Sequence, residues 1–179
     1  MLLKILILAM LPVCPIRSQA IGVCELLHGL EDLKGTEISV RGVWAVGDTG
    51  EILYPESPCA SSTVRDGWVW SAVISVAPRD TNARGFQNEY WRLRGGTRPH
   101  QSVKIVATLT GRLETRNHFD VQKLANGRRV PRAFRFWVAE LTYIAAADFE
   151  VVPYRPGEEE DEMHWRRDPW AKPASAKSK

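Results

Sequence analysis

The sequence has no long apolar run beyond its first 20 residues, which excludes a polytopic helical membrane protein. It has only three cysteines and four histidines, with no Cys-x-x-Cys pair and no clustered His, so the usual zinc frameworks and a thioredoxin-type redox motif are absent. No Gly-x-Ser-x-Gly elbow occurs, and Arg94-Gly95-Gly96-Thr97 lacks the Lys-Ser/Thr ending of a phosphate-cradling loop. Charge of one sign is also missing: 24 Lys and Arg against 21 Asp and Glu give +3, too little for a chain-wide nucleic-acid binder. What remains is 179 residues, 44% hydrophobic and 25% charged, the composition of one globular domain with tails.

The opening MLLKILILAMLPVCPIRSQA has a basic residue, Lys4, then an apolar stretch from Ile5 to Val13, then the small-x-small trio Ser18-Gln19-Ala20. That order predicts a secretory signal peptide over residues 1–20, cut after Ala20. The rivals are an uncleaved N-terminal anchor and a lipoprotein cut before Cys14. Removing Lys4 and Arg17 leaves 22 basic against 21 acidic residues, a nearly neutral mature chain. That chain keeps Cys24 and Cys59, and two thiols in an oxidising compartment pair. We expect a structural disulfide, because the spacing that would lower a thiol pKa is lacking. Closing a loop of about 36 residues restricts the unfolded chain by roughly 3–4 kcal/mol in the loop-entropy account.

Apolar residues at 23, 26, 27 and 30 predict a short amphipathic helix ended by Lys34-Gly35. Glu37 to Val46 alternates strictly, with Ile38, Val40, Trp44 and Val46 on one side and Gly42 interrupting that side, where a missing side chain permits a bulge or a sharp coil. Glu51 to Tyr54 reads as a short second strand, Trp68 to Val76 as a third, Val103 to Glu114 as a fourth and Ala133 to Ala145 as a fifth. Phe86, Tyr90 and Leu93 predict a helix within 79–95, and 115–132 reads as a long polar loop. From Pro153 the composition turns to tail, with the acidic run Glu158 to Glu162, so the expected organisation is a domain over 21–153 and a disordered charged tail over 154–179.

Strand, strand, strand, helix, strand, strand, with the first strand kinked at Gly42, is the order of the OB-fold, a five-stranded Greek-key barrel. The expected class is therefore mainly β, an OB-like barrel with a short N-terminal helix and a helix between strands three and four. Cys24-Glu25-Leu26-Leu27, the segment GTEISVRG from Gly35 to Gly42, Cys59, and Thr110-Gly111-Arg112-Leu113-Glu114 resemble small exported bacterial proteins of unassigned function with an OB-like β-barrel. The resemblance spans roughly residues 23–145; it implies fold and export, and supplies no activity.

Local charge gives the candidate binding face. Between 112 and 135 stand Arg112, Arg116, Lys123, Arg128, Arg129, Arg132 and Arg135 against Glu114 and Asp120, a local sum of 7 − 2 = +5 in a nearly neutral protein. Phe119, Phe134, Phe136 and Trp137 lie among or beside them, and the connection between strands four and five of an OB-fold flanks its ligand groove. His118, beside Asp120, joins this set as a ligand contact; the bland reading is a solvated loop in which these residues serve solubility. We expect no catalytic residue, metal or cofactor. The expected function is an exported, non-enzymatic binding or envelope-associated module acting on an anionic surface or partner protein through the 112–135 segment. The alternatives are a single-stranded nucleic-acid binder, disfavoured by export and by few outward aromatics, and a hydrolase with a site near His118. Trp165 and Trp170 suggest that the tail folds back on the basic face or docks on a partner.

Overall fold

The computed structural model describes residues 19–47, 50–61, 63–65, 68–95, 103–115, 119–123, 129–133, 137–155 and 172–173. In chain order the elements are β1 (Ile21–Gly22), α1 (Val23–His28), α2 (Leu30–Leu33), β2 (Glu37–Gly47), β3 (Gly50–Tyr54), β4 (Thr63–Arg65), β5 (Trp68–Trp70) and β6 (Ile74–Pro78). They continue with α3 (Thr81–Arg84), α4 (Phe86–Gly95), β7 (Val103–Thr115), β8 (Phe119–Lys123), β9 (Arg129–Ala133), β10 (Ala139–Pro153) and β11 (Lys172–Pro173). No described helix is long and apolar enough to cross a membrane.

The fold is mainly β, with a six-stranded mixed sheet as its frame. Antiparallel pairings join β2 to β3 and β3 to β6, a parallel pairing joins β6 to β10, and antiparallel pairings join β10 to β7 and β7 back to β2. The strand pairings thus return to their starting strand. The expected five strands are corrected to six: β1 adds a two-residue parallel pairing, Ile21↔Val40 and Gly22↔Arg41, on the stretch of β2 that precedes its pairing with β3.

Alternation explains most of these elements. In β7, Val103, Ile105, Ala107, Leu109 and Leu113 are buried in the main core, while Arg112 and Glu114 on the other face are exposed. β2 departs from a strict two-faced pattern, because Val43 and Ala45 are buried as well as Val40 and Trp44. Val43 pairs across to Val106 on β7, itself buried, so a small apolar cluster lies on the outer face as well. α1 and α2 add Val23, Leu26, Leu27 and Leu30 to the core.

Two glycines are required by close approach. A Cβ on Gly42 would sit 2.7 Å from the Tyr54 carbonyl oxygen and 2.9 Å from Val23 Cγ2, so the glycine singled out in the sequence is where β3 and α1 press on β2, while the β2–β7 register runs through it without a shift. A Cβ on Gly111 would overlap the Thr142 carbonyl, where β7 meets the bulge of β10 between Tyr143 and Ala145.

Several expected elements differ, beginning with the single N-terminal helix, which is divided at Gly29 into α1 and α2. The predicted third strand is broken: Val73 N–H donates to Ser71 O at 2.8 Å, and this tight turn separates β5 from β6 and puts Val73 beside Ile74 in buried positions. The predicted helix over 79–95 is two helices, with Asp80 capping α3 through a 2.9 Å bond from Ala83 N–H. The fifth strand begins at Ala139, where its pairing with Thr115 of β7 starts, and runs to Pro153, leaving Ala133 to β9. Lys172–Pro173 pair antiparallel with Trp68 and Val69, so this short piece of the tail adds a strand to β5.

Candidate functional site

The cysteine pair is formed. Cys24 and Cys59 are bonded with Cα atoms 5.5 Å apart, fastening α1 to the segment that follows β3. One turn beyond Cys24, His28 Nε2 lies 2.6 Å from Ser61 Oγ, so a hydrogen bond runs beside the disulfide between the same two segments.

The basic segment is placed in part. The expected polar loop over 115–132 contains an antiparallel ribbon, β8 and β9, lying in the connection between β7 and β10. Its register sets Lys123 directly opposite Arg129 and Asp120 directly opposite Arg132. Arg112 stands near the base of that connection on β7, opposite Glu37 on β2 and Thr142 on β10. Its side chain is 67% exposed, and its Nε donates to Glu114 Oε1 at 2.8 Å. An exposed ion pair of this kind contributes at most about 1 kcal/mol, yet it takes Arg112 partly out of the unbalanced charge. Arg116, His118, Arg128 and Arg135 lie outside the described residues, as do the acidic run Glu158 to Glu162 and Trp165.

A second cluster escaped the sequence reading. Glu51, at the start of β3, is 7% exposed. Its Oε2 accepts from Trp44 Nε1 at 3.0 Å and from the Tyr143 hydroxyl at 3.1 Å, and its Oε1 accepts from Gln87 Nε2 at 2.5 Å. Trp44 belongs to β2, Tyr143 to β10 and Gln87 to α4, so one carboxylate ties three elements to a fourth. The Trp44 ring meets Tyr90 edge-on at 5.3 Å and Tyr143 at 5.7 Å, giving the carboxylate an aromatic floor. Burial raises the Glu51 carboxyl above its ordinary value of 4.5, with the hydrogen bonds from Gln87, Tyr143 and Trp44 and the charge of Arg84 opposing it. Burial and the adjacent carboxylate push the Tyr143 phenol well above its ordinary range. The available signal was phase: Glu51 shares the inward side of β3 with fully buried Leu53, a carboxylate at a core position.

A third group gathers on the outside. The Tyr54 and Tyr154 hydroxyls approach to 3.5 Å, and Lys104 Nζ lies 5.5 Å from the centre of the Tyr154 ring. Nearby Arg41 pairs with Glu56 at 3.0 Å and Glu150 at 2.8 Å, linking β2 to β10. Among the described residues no group of three or more His, Cys, Asp or Glu converges as metal ligands. No family model, curated protein or solved structure matches this chain.

Proposed function

We propose that the chain is an exported, non-enzymatic binding module on an OB-like barrel, which engages an anionic surface or partner through the β8–β9 ribbon. The barrel reading draws support from the returning strand circuit, β2 to β3 to β6 to β10 to β7 to β2, with α3 and α4 falling between β6 and β7 in the chain. The likeness to exported OB-like proteins belongs to the same reading. Export is supported by the Cys24–Cys59 bond, which suits an oxidising compartment.

The observation that carries the anion reading is Lys123 directly opposite Arg129. Like charges facing each other across a ribbon destabilise it, and an anion between them converts that repulsion into attraction. The ribbon also occupies the connection that, in an OB-fold, borders the ligand groove.

The test is retention of the full chain on an immobilised sulfated polysaccharide across a salt gradient. Binding should weaken steeply with salt, and replacing Lys123 and Arg129 by Gln should flatten the log–log slope by about two, the number of charges removed. Retention that ignores both salt and the double substitution rejects the proposal. A single-stranded oligonucleotide run in parallel, if retained more tightly than the polysaccharide at equal salt, selects the nucleic-acid alternative instead.

A further inference from the structure

We infer that Glu51 is the latch of a proton-sensitive clasp that holds α4 against the strand circuit. The geometry divides the carboxylate between two bodies. Oε2 is held from the sheet side by Trp44 and Tyr143, whereas Oε1 is held from the helix side by Gln87. Tyr90, one turn further along α4, is buried on Trp44, so the polar latch and the aromatic contact close the same seam.

The groups bonded to Glu51 are the Trp44 indole from β2, the Tyr143 phenol from β10 and the Gln87 amide from α4, and the charge of exposed Arg84 on α3 acts on it without a bond. Inward residues of β6 and β7, such as Val76 and Ile105, carry no charge. All three bonded partners donate in this arrangement, which suits an ionised carboxylate. Trp44 has no means of accepting, but Gln87 can turn its amide and accept the proton of a neutral Glu51 at Oε1. The clasp therefore has a bonded form in each protonation state.

Its pH dependence has a definite sign. Burial is the largest influence on Glu51 and raises its carboxyl above 4.5 in the closed form. With α4 lifted, water reaches the carboxylate and the ordinary value returns. The closed form thus binds the proton more tightly. Acid favours closure, and raising the pH through the closed-form value favours opening. The clasp lies away from the ribbon: β6 and β10 run parallel from Ser75↔Glu140 to Pro78↔Tyr143, with the ribbon preceding β10 and α3 following β6. It is independent of the anion reading.

Amide hydrogen exchange in the full chain tests this, with rates at residues 86–95 corrected for the intrinsic pH dependence of exchange and compared with β7 amides. Opening of α4 should increase with pH by up to about tenfold per unit, then level off, while β7 protection stays flat. Glu51→Gln should remove the rise, and Arg84→Gln should carry it to higher pH because the opposing charge is lost. Three results each overturn the proposal: a flat α4 profile in the unaltered chain, an equal rise in β7, or a rise in Arg84→Gln that stops where the unaltered chain's does. If Glu51→Gln fails to fold, these readings on the unaltered chain and Arg84→Gln decide alone.

Discussion

Glu51 concentrates the energetic risk of this molecule. Removing its side chain leaves the buried Trp44 N–H and Tyr143 hydroxyl and the half-buried Gln87 amide without their shared acceptor, and each buried donor stranded in this way costs about 1–3 kcal/mol. With two buried donors stranded, Glu51→Ala should lower the free energy of unfolding by about 2–6 kcal/mol in urea titration, with Glu51→Gln costing less because its amide oxygen still accepts. The glycines make the complementary case. Gly42→Ala forces a methyl onto the Tyr54 carbonyl and Val23, and should cost about 1–3 kcal/mol, whereas Gly47→Ala, whose nearest neighbour among the described residues is the Gly50 carbonyl at 3.8 Å, should change stability by under about 0.5 kcal/mol. A urea midpoint equal for both substitutions would contradict the close approach. Gly42 was legible because it broke an alternation on the apolar side. Glu51 was legible only as a carboxylate in phase with Leu53, and its partners were not, because Gln87 and Tyr143 stand 36 and 92 residues away.

Among the elements, β2, β3 and β7 were readable since period-two alternation is a local signal. β10 was not readable at its start: Phe134, Phe136 and Trp137 continue an apolar run past the ribbon, and only the pairing Ala139↔Thr115 sets the boundary. The break between β5 and β6 likewise rests on one backbone bond that composition does not encode. The disulfide acts at this scale, because it holds α1, which supplies Val23, Leu26 and Leu27 to the core, to the segment after β3. Replacing both Cys24 and Cys59 by Ser should cost roughly 3–4 kcal/mol, read as a lower thermal midpoint, and adding reductant to that variant should have no further effect. α3 carries its own acid sensitivity. The Ala83 N–H and then Arg79 hold the Asp80 carboxyl below its ordinary 3.8. That support is complete above 3.8 and fades as pH falls through the lower folded value, the opposite sign to Glu51. Asp80→Asn should remove this acid loss from a pH series of thermal midpoints.

For the whole molecule, near-neutrality hides an uneven distribution, and the sequence exposed this plainly as +5 between 112 and 135. What it did not expose was register. Once a ribbon forms, its register sets Lys123 opposite Arg129 and Arg132 opposite Asp120, a pairing that composition alone does not give. Arg112, read as part of the same set, is engaged with Glu114. The expected succession of strands appears in the main sheet as the chain order β2, β3, β6, β7 and β10, whereas the pairing order places β10 between β6 and β7, with β1 as an addition that no periodicity announces in two residues.

The parallel contact between β6 and β10 has a kinetic consequence. Ser75 and Glu140 are neighbours in space but 65 positions apart in the chain, so no local hairpin brings them together. Hairpins such as β2–β3 form early and cheaply, whereas this junction waits for the long intervening stretch to collapse. Until it closes, β3–β6 and β7–β10 present unpaired backbone to neighbouring molecules, and refolding yield should fall as chain concentration rises during that interval.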